Sequence, residues 1–467
     1  MGRKWPGFIA IILLVIGISW RYKSIFTEIW LPEAVVISTV KTLNSPFELF
    51  SVFRSTDNYL GSSLYCYLIS EPYFDYAYRY LSLTAGTLLL LVFPRLFGES
   101  TYAARAVALS VLSLSYPLVI FSADIQGVML LLLIAALSHA LFRIYYNTQK
   151  TWPLILFWLT TVAGILTHPS FLLYYLSLMA YSLILTLQPH VERNWFIDLH
   201  IVPVIFLFSY YLYFLHYLTP GITGELYSQV GITEFSASFL GLTGIVEHGQ
   251  TLSGIMLMLL ALLVLEILVG IFNGVAEYIF YLLVSVVVPA IFIWLDAPVN
   301  WLFIPILFLV IVFGRLLARL FSFGIAGASI YAVVLIVLFW GNWQMFRQLK
   351  SYGRGSPKEM LQIISDLTEG DVATVRYIGP VTVKPLFKHY WPRLKGVKDY
   401  LLSPVSDLAD NPTEWLIEGG FRNVIESARE IIIGRDSYRQ VRIFPAAYLS
   451  GITYVLYHRV GSNRPGN

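Results

Sequence analysis

The chain alternates long apolar runs with short polar connections over its first three quarters. Runs near the roughly 20 residues that a bilayer requires fall at about 5–20, 79–97, 102–121, 125–145, 153–168, 170–188, 200–218, 251–272, 275–294, 299–318 and 322–341. This pattern predicts a polytopic α-helical membrane protein of about 11 transmembrane helices over residues 1–341. The pair 153–168 and 170–188, short and divided at Pro169, reads either as two spans or as a re-entrant hairpin. Beyond Trp340 charged residues become frequent and apolar runs shorten. There 372–378, 430–434 and 453–458 read as strands, and 357–367 and 412–419 as helices. Residues 342–467 are therefore expected to form a small α/β domain outside the membrane.

Composition agrees with a membrane chain: 57% of residues are hydrophobic and 13% charged, against about 25% charged in soluble domains. A net charge of +3 is too small to suggest a nucleic-acid partner. The single cysteine, Cys66, excludes an intrachain disulfide and a cysteine-cluster metal site. Ser19-Trp20-Arg21-Tyr22 closes the first apolar run without a small-x-small cleavage motif, so an uncleaved first helix is expected. Basic residues in short connections set orientation. Arg3 and Lys4, Arg95, Arg143 and Lys150, Arg193, and Arg315 and Arg319 alternate with connections poor in them, and 219–250 holds no Lys or Arg. This predicts a multi-pass plasma (inner) membrane protein with a cytoplasmic N-terminus and an extracytoplasmic C-terminal domain.

That orientation gathers polar chemistry on the outer side. The first outer loop, 21–80, carries Glu28, Glu33, Glu48, Asp57, Glu71 and Asp75 among many aromatic residues, more acid than a connector needs. Asp124, in Ser122-Ala123-Asp124-Ile125-Gln126-Gly127-Val128, lies between two apolar runs, where a carboxylate is costly unless it faces water or a partner. Its plainer role is a helix N-cap. His168, in Thr167-His168-Pro169, stands at another helix mouth and can bind phosphate, ligate a divalent metal or shuttle a proton. The plainer role there is a histidine bonded to backbone across the Pro169 break. Glu33 after Pro32 suits the first turn of a helix, and Asp57 suits a turn. Glu225, Glu234, Glu247, His248 and Asp296 complete the outer acids and imidazole. No Gly-rich phosphate loop, Ser/His/Asp order or His-Glu-x-x-His motif is present.

Four motifs in order resemble the GT-C glycosyltransferases, in the branch of protein O-mannosyltransferases and the lipid A aminoarabinose transferase. They are Ile29-Trp30-Leu31-Pro32-Glu33-Ala34, Leu96-Phe97-Gly98-Glu99-Ser100-Thr101-Tyr102-Ala103-Ala104-Arg105, Ser122-Ala123-Asp124-Ile125-Gln126-Gly127-Val128, and Thr167-His168. The chain departs from that pattern at Pro32, where the family has its first acid, and at Gln126 and Val128, where it has Arg and Tyr. The family's His-Pro-Pro element is reduced to Asp57-Asn58-Tyr59-Leu60. The resemblance implies a GT-C-like membrane glycosyltransferase. Such an enzyme takes a sugar from a polyprenyl-phosphate donor and passes it to an extracytoplasmic lipid, glycan or protein. It implies Glu33 and Asp124 as the catalytic carboxylates, with His168, Asp57, Glu28 and Gln126 on the substrate side. The departures leave a second reading open, a catalytically inactive GT-C-like subunit that binds lipid or partner proteins.

Overall fold

The computed structural model describes residues 5–52, 60–69, 72–97, 102–188, 194–213, 249–294, 302–321, 324–378, 383–394, 399–404, 413–420, 428–434, 436–447 and 449–462. The chain forms two compact units: Met1–Ile25 with Asn44–Gln344, and Phe26–Leu43 with Met345–Asn467.

The first unit is helical. Helix α1 (Trp5–Ser24) opens it, while α2 (Leu31–Val40) belongs to the second unit. Helices α3 (Leu60–Ile69) and α4 (Tyr80–Val92) follow, then a broken pair, α5 (Tyr102–Leu114) and α6 (Tyr116–Phe121). Next come a hairpin of α7 (Val128–Thr148) and α8 (Thr151–Thr167), then α9 (Phe171–Leu185) and α10 (Asn194–Tyr213). The last are α11 (Gly249–Phe272), α12 (Glu277–Trp294, π-helical at Leu283–Val287), α13 (Phe303–Phe321) and α14 (Ile325–Tyr352).

Among the described residues five helices are long and apolar enough to cross a membrane: α7, α10, α12, most of α13, and α14. One apolar run that is continuous in sequence is divided in space. The run 102–121 breaks at Ser115, ahead of Pro117, whose ring removes a backbone donor. The runs 153–168 and 170–188, divided in sequence at Pro169, form separate helices of 17 and 15 residues with 168–170 between them. Small residues let these helices close. A Cβ on Gly164 of α8 would lie 2.3 Å from the Phe171 ring. Across the hairpin, Ser138 Oγ and Thr161 Oγ1 share a buried hydrogen bond of 3.1 Å.

The second unit is built on a six-stranded sheet of β1 (Val372–Ile378), β2 (Asp399–Pro404), β3 (Trp415–Gly420), β4 (Glu430–Ile433), β5 (Asp436–Phe444) and β6 (Thr453–Ser462). Its order is β2-β1-β3-β6-β5-β4, parallel where β1 meets β2 and β3 and antiparallel elsewhere. Helix α15 (Pro357–Leu367) buries Met360, Leu361 and Ile364, the spacing of one helix face. Helix α16 (Lys384–Tyr390) crosses between β1 and β2, as a parallel pair requires. Strand β3 corrects the helix expected at 412–419: Trp415, Leu416 and Ile417 are all buried between β1 and β6. A short apolar run buried on both faces has no period to separate strand from helix.

Two glycines near the start of this unit separate strain from collision. Gly355 has φ +98 and no room, since a Cβ would stand 2.0 Å from the Ile452 carbonyl oxygen; Gly353 has φ +60 and open space. Gly355→Ala should destabilise the full-length protein by roughly 3 kcal/mol or more, against about 1 kcal/mol for Gly353→Ala. Thermal unfolding in detergent checks this, and equal effects of the two would contradict it.

Candidate active site

The turn at 122–127 joins α6 to α7. Asp124 Oδ1 accepts the Gln126 amide at 3.0 Å, an Asx turn that fixes the carboxylate. Gly127, at φ +76, supplies the left-handed residue from which α7 starts. Ser122 Oγ donates to the Leu118 carbonyl at 2.6 Å. The turn is pressed against α4, for a Cβ on Gly86 would lie 2.3 Å from Ser122 Oγ. Asp124 and Gln126 are 3% and 4% exposed, so the carboxylate sits inside protein rather than in bulk water.

His168 ends α8 in an extended conformation, with Pro169 behind it. The Ser170 amide donates to His168 Nδ1 at 3.1 Å, and Ser170 Oγ lies 2.7 Å from the same nitrogen. Nδ1 is thereby an acceptor, which assigns the ring proton to Nε2 in the neutral imidazole. The ring is fully buried.

Because α7 and α8 form a tight hairpin turning at Gln149, the N-terminus of α7 and the C-terminus of α8 lie at one end of it. Gly61 of α3 confirms the layer: its Cβ would touch Leu130 at 3.1 Å and Thr167 at 3.3 Å. The structure thus gathers Asp124, Gln126 and His168 at one end of the hairpin. A fixed carboxylate can accept a proton or orient a hydroxyl, and an Nε2–H imidazole can donate to an oxyanion.

Glu28 and Glu33 belong to the second unit and are engaged there. Pro32 sits in the first turn of α2, where a missing N–H costs nothing. Glu33, fully buried, accepts the Trp30 amide at 3.2 Å and lies 3.8 Å from the equally buried Arg354. Arg354 also donates to Thr27 Oγ1 at 3.1 Å and stacks over Trp30 at 5.6 Å. Glu28 Oε2 accepts the Lys358 amide at 3.2 Å in the first turn of α15. Burial raises the Glu28 carboxyl above its ordinary range, and the Lys358 amide opposes the shift. Tyr390 donates to the Ile29 carbonyl at 2.9 Å. Asp57 and the acids from Glu225 to Glu247, with His248 and Asp296, lie outside the described residues.

The other end of the hairpin carries a charge network that the sequence showed only in pieces. Glu277 pairs with Arg315 at 2.6 Å and Arg143 at 3.3 Å, and Glu266 pairs with Arg319 at 3.0 Å. Tyr281 and Tyr278 donate to Glu277 and Glu266. Three of the arginines used for the orientation reading, Arg143, Arg315 and Arg319, are therefore partnered residues within helices. Among the described residues no three His, Cys, Asp or Glu side chains gather to hold a metal.

Removing one member of the buried pair in the second unit strands the other. Arg354→Met should cost about 3 kcal/mol, and adding Glu33→Gln should recover most of it. Thermal unfolding of the two variants checks this; a double variant no more stable than the single would show that the pair is not coupled.

No protein-family model matches the chain, and no curated protein matches it in sequence. Solved structures similar in fold include two of an archaeal oligosaccharyltransferase. The oligosaccharyltransferase AglB of Archaeoglobus fulgidus, in complex with an inhibitory peptide and a dolichol-phosphate, matches with a TM-score of 0.51 at 10% identity, over 89% of this chain and 69% of that one. The apo form of the Archaeoglobus fulgidus oligosaccharyltransferase matches with a TM-score of 0.53 at 10% identity, over 89% and 70%. The likeness to these two oligosaccharyltransferase structures is one of fold.

Proposed function

We propose that this chain is a multi-pass glycosyltransferase that moves a sugar from a polyprenyl-phosphate-linked donor to an acceptor outside the cytoplasm. The observation that carries the reading is the gathering of Asp124, Gln126 and His168 at one end of the α7–α8 hairpin, in a fold shared with oligosaccharyltransferase. In this reading that end faces the extracytoplasmic side, which the distribution of basic residues in the short connections favours. The neighbour's complex with a dolichol-phosphate and a peptide supports a lipid-phosphate donor and leaves peptide among the acceptors. The order of sequence motifs favours the branch that uses single polyprenyl-phosphate sugars.

In this scheme Asp124 receives the acceptor's hydroxyl proton or orients that hydroxyl as the bond to the sugar forms. His168 donates through Nε2 to the phosphate that leaves with the lipid. Glu33, closed off by the Trp30 amide and Arg354, helps to hold 26–43 within the C-terminal unit rather than touching substrate. That engagement also favours a second reading, a lipid- or protein-binding subunit without transfer activity.

Transfer of labelled sugar from a synthetic polyprenyl-phosphate donor, measured with the full chain in nanodiscs, separates these readings. Asp124→Asn should lower turnover by roughly a hundredfold or more, and His168→Gln by at least roughly tenfold. Glu33→Gln should act on stability alone. Loss of turnover in a well-folded Glu33→Gln variant, with Asp124→Asn active, would move the base to Glu33. A wild-type protein that binds donor and transfers nothing would favour the second reading.

A further inference from the structure

The broken helix α5–α6 leads straight into the Asp124 turn, and its break is closed by residues from two other helices. In a continuous helix the Leu112 and Ser113 carbonyls would accept from Tyr116 and Pro117. Pro117 has no N–H to give. Arg21 of α1, fully buried, replaces both donors: Nη2 donates to the Leu112 carbonyl at 2.8 Å and Nη1 to that of Ser113 at 2.9 Å. Nη1 also reaches the Gly17 carbonyl of its own helix at 3.0 Å. The Tyr116 amide, freed from Leu112, donates instead to Asn342 Oδ1 of α14 at 2.7 Å. Asn342 is held for this by its own Nδ2, which donates to the Leu338 carbonyl at 2.7 Å. The approach of α1 depends on Gly17, because a Cβ there would lie 2.2 Å from the Ser113 oxygen.

From this joint α6 runs only six residues to Phe121, whose ring meets Phe303 of α13 edge-on at 4.6 Å. Both ends of α6 are pinned, and Asp124 follows three residues later. The joint is poorly satisfied as a purely structural device. Ser113 Oγ, Ser115 Oγ and Arg21 Nε are buried without a hydrogen-bond partner among the described residues. Unmet groups of this kind beside a candidate site suit geometry held for chemistry.

We infer that Arg21 and Asn342 are positioning residues that set the Asp124 turn by clamping the break between α5 and α6. The role in transfer rests on the glycosyltransferase reading; the clamp itself does not.

The test uses the full chain in nanodiscs with Asn342→Ala, Asn342→Asp and Arg21→Lys, read by hydrogen exchange and by transfer kinetics with the polyprenyl-phosphate donor. Asn342→Ala should raise exchange about tenfold across 116–127 and leave 131–148 unchanged. Its turnover should fall roughly ten- to a hundredfold with little change in donor KM, since misplacement of about 1 Å has effects of that order. Asn342→Asp, which keeps the acceptor oxygen and loses the Nδ2 bond to Leu338, should recover both measures in part. Arg21→Lys, with one compact donor group for two carbonyls, should resemble Asn342→Ala. Exchange that stays flat across 116–127, or rises equally in 131–148, overturns the clamp. A local rise with unchanged turnover overturns the positioning role. A local rise in a protein whose wild type transfers nothing supports the clamp and sinks the transfer reading.

Discussion

Inside an apolar bundle every peptide N–H and C=O needs a partner from the protein itself, and the first unit turns on how two helix breaks meet that demand. At Ser115 the missing bonds are supplied from a distance, by Arg21 and Asn342. At 167–170 they are supplied locally, by the His168 ring and Ser170. Both breaks surround a proline, and each is followed or occupied by a chemistry-bearing residue. The prolines that shorten the apolar helices are thus the same features that put Asp124 and His168 where they are.

Much of the architecture is legible in the sequence, and the failures have physical causes. The strand at 372–378 and the helix at 357–367 carry clear patterns, and the structure has both. The strand at Trp415–Gly420 reads as helix because a run buried on both faces shows no alternation. The break at Ser115 is hidden because Ser115, Tyr116 and Pro117 hardly interrupt an apolar run. Arg21 looks like the polar end of a first helix, and only its fully buried position reveals a capping role. The carboxylates divide in the same way. Asp124 and His168 stand out by being polar where their neighbours are not. Glu33 stands out for the same reason, yet its partners Trp30 and Arg354 mark a cap and an ion pair. Sequence flags a costly group and does not say what offsets the cost.

The fold of an oligosaccharyltransferase at 10% identity shows how little of such a fold is written in particular residues. Apolar helices tolerate exchange among Leu, Ile, Val and Phe as long as volume is kept. The fixed points are small residues at close approaches and polar groups at breaks. Gly17, Gly61, Gly86 and Gly164 belong to the first kind, and Arg21 and Asn342 to the second.

The membership of Phe26–Leu43 in the C-terminal unit has a consequence for biosynthesis. The Ile29 carbonyl waits for Tyr390, 361 residues downstream, and at about 5–20 residues per second that wait is roughly 20–70 s. For that time Ile29, Trp30 and Leu31, all buried in the finished protein, lack the C-terminal residues of their unit. A ten-residue helix such as α2 does not hold together in water on its own. The nascent chain therefore carries an unsheltered apolar segment through the insertion of every later helix. A ribosome that stalls before the C-terminal strands leaves that segment open to chaperones and proteases.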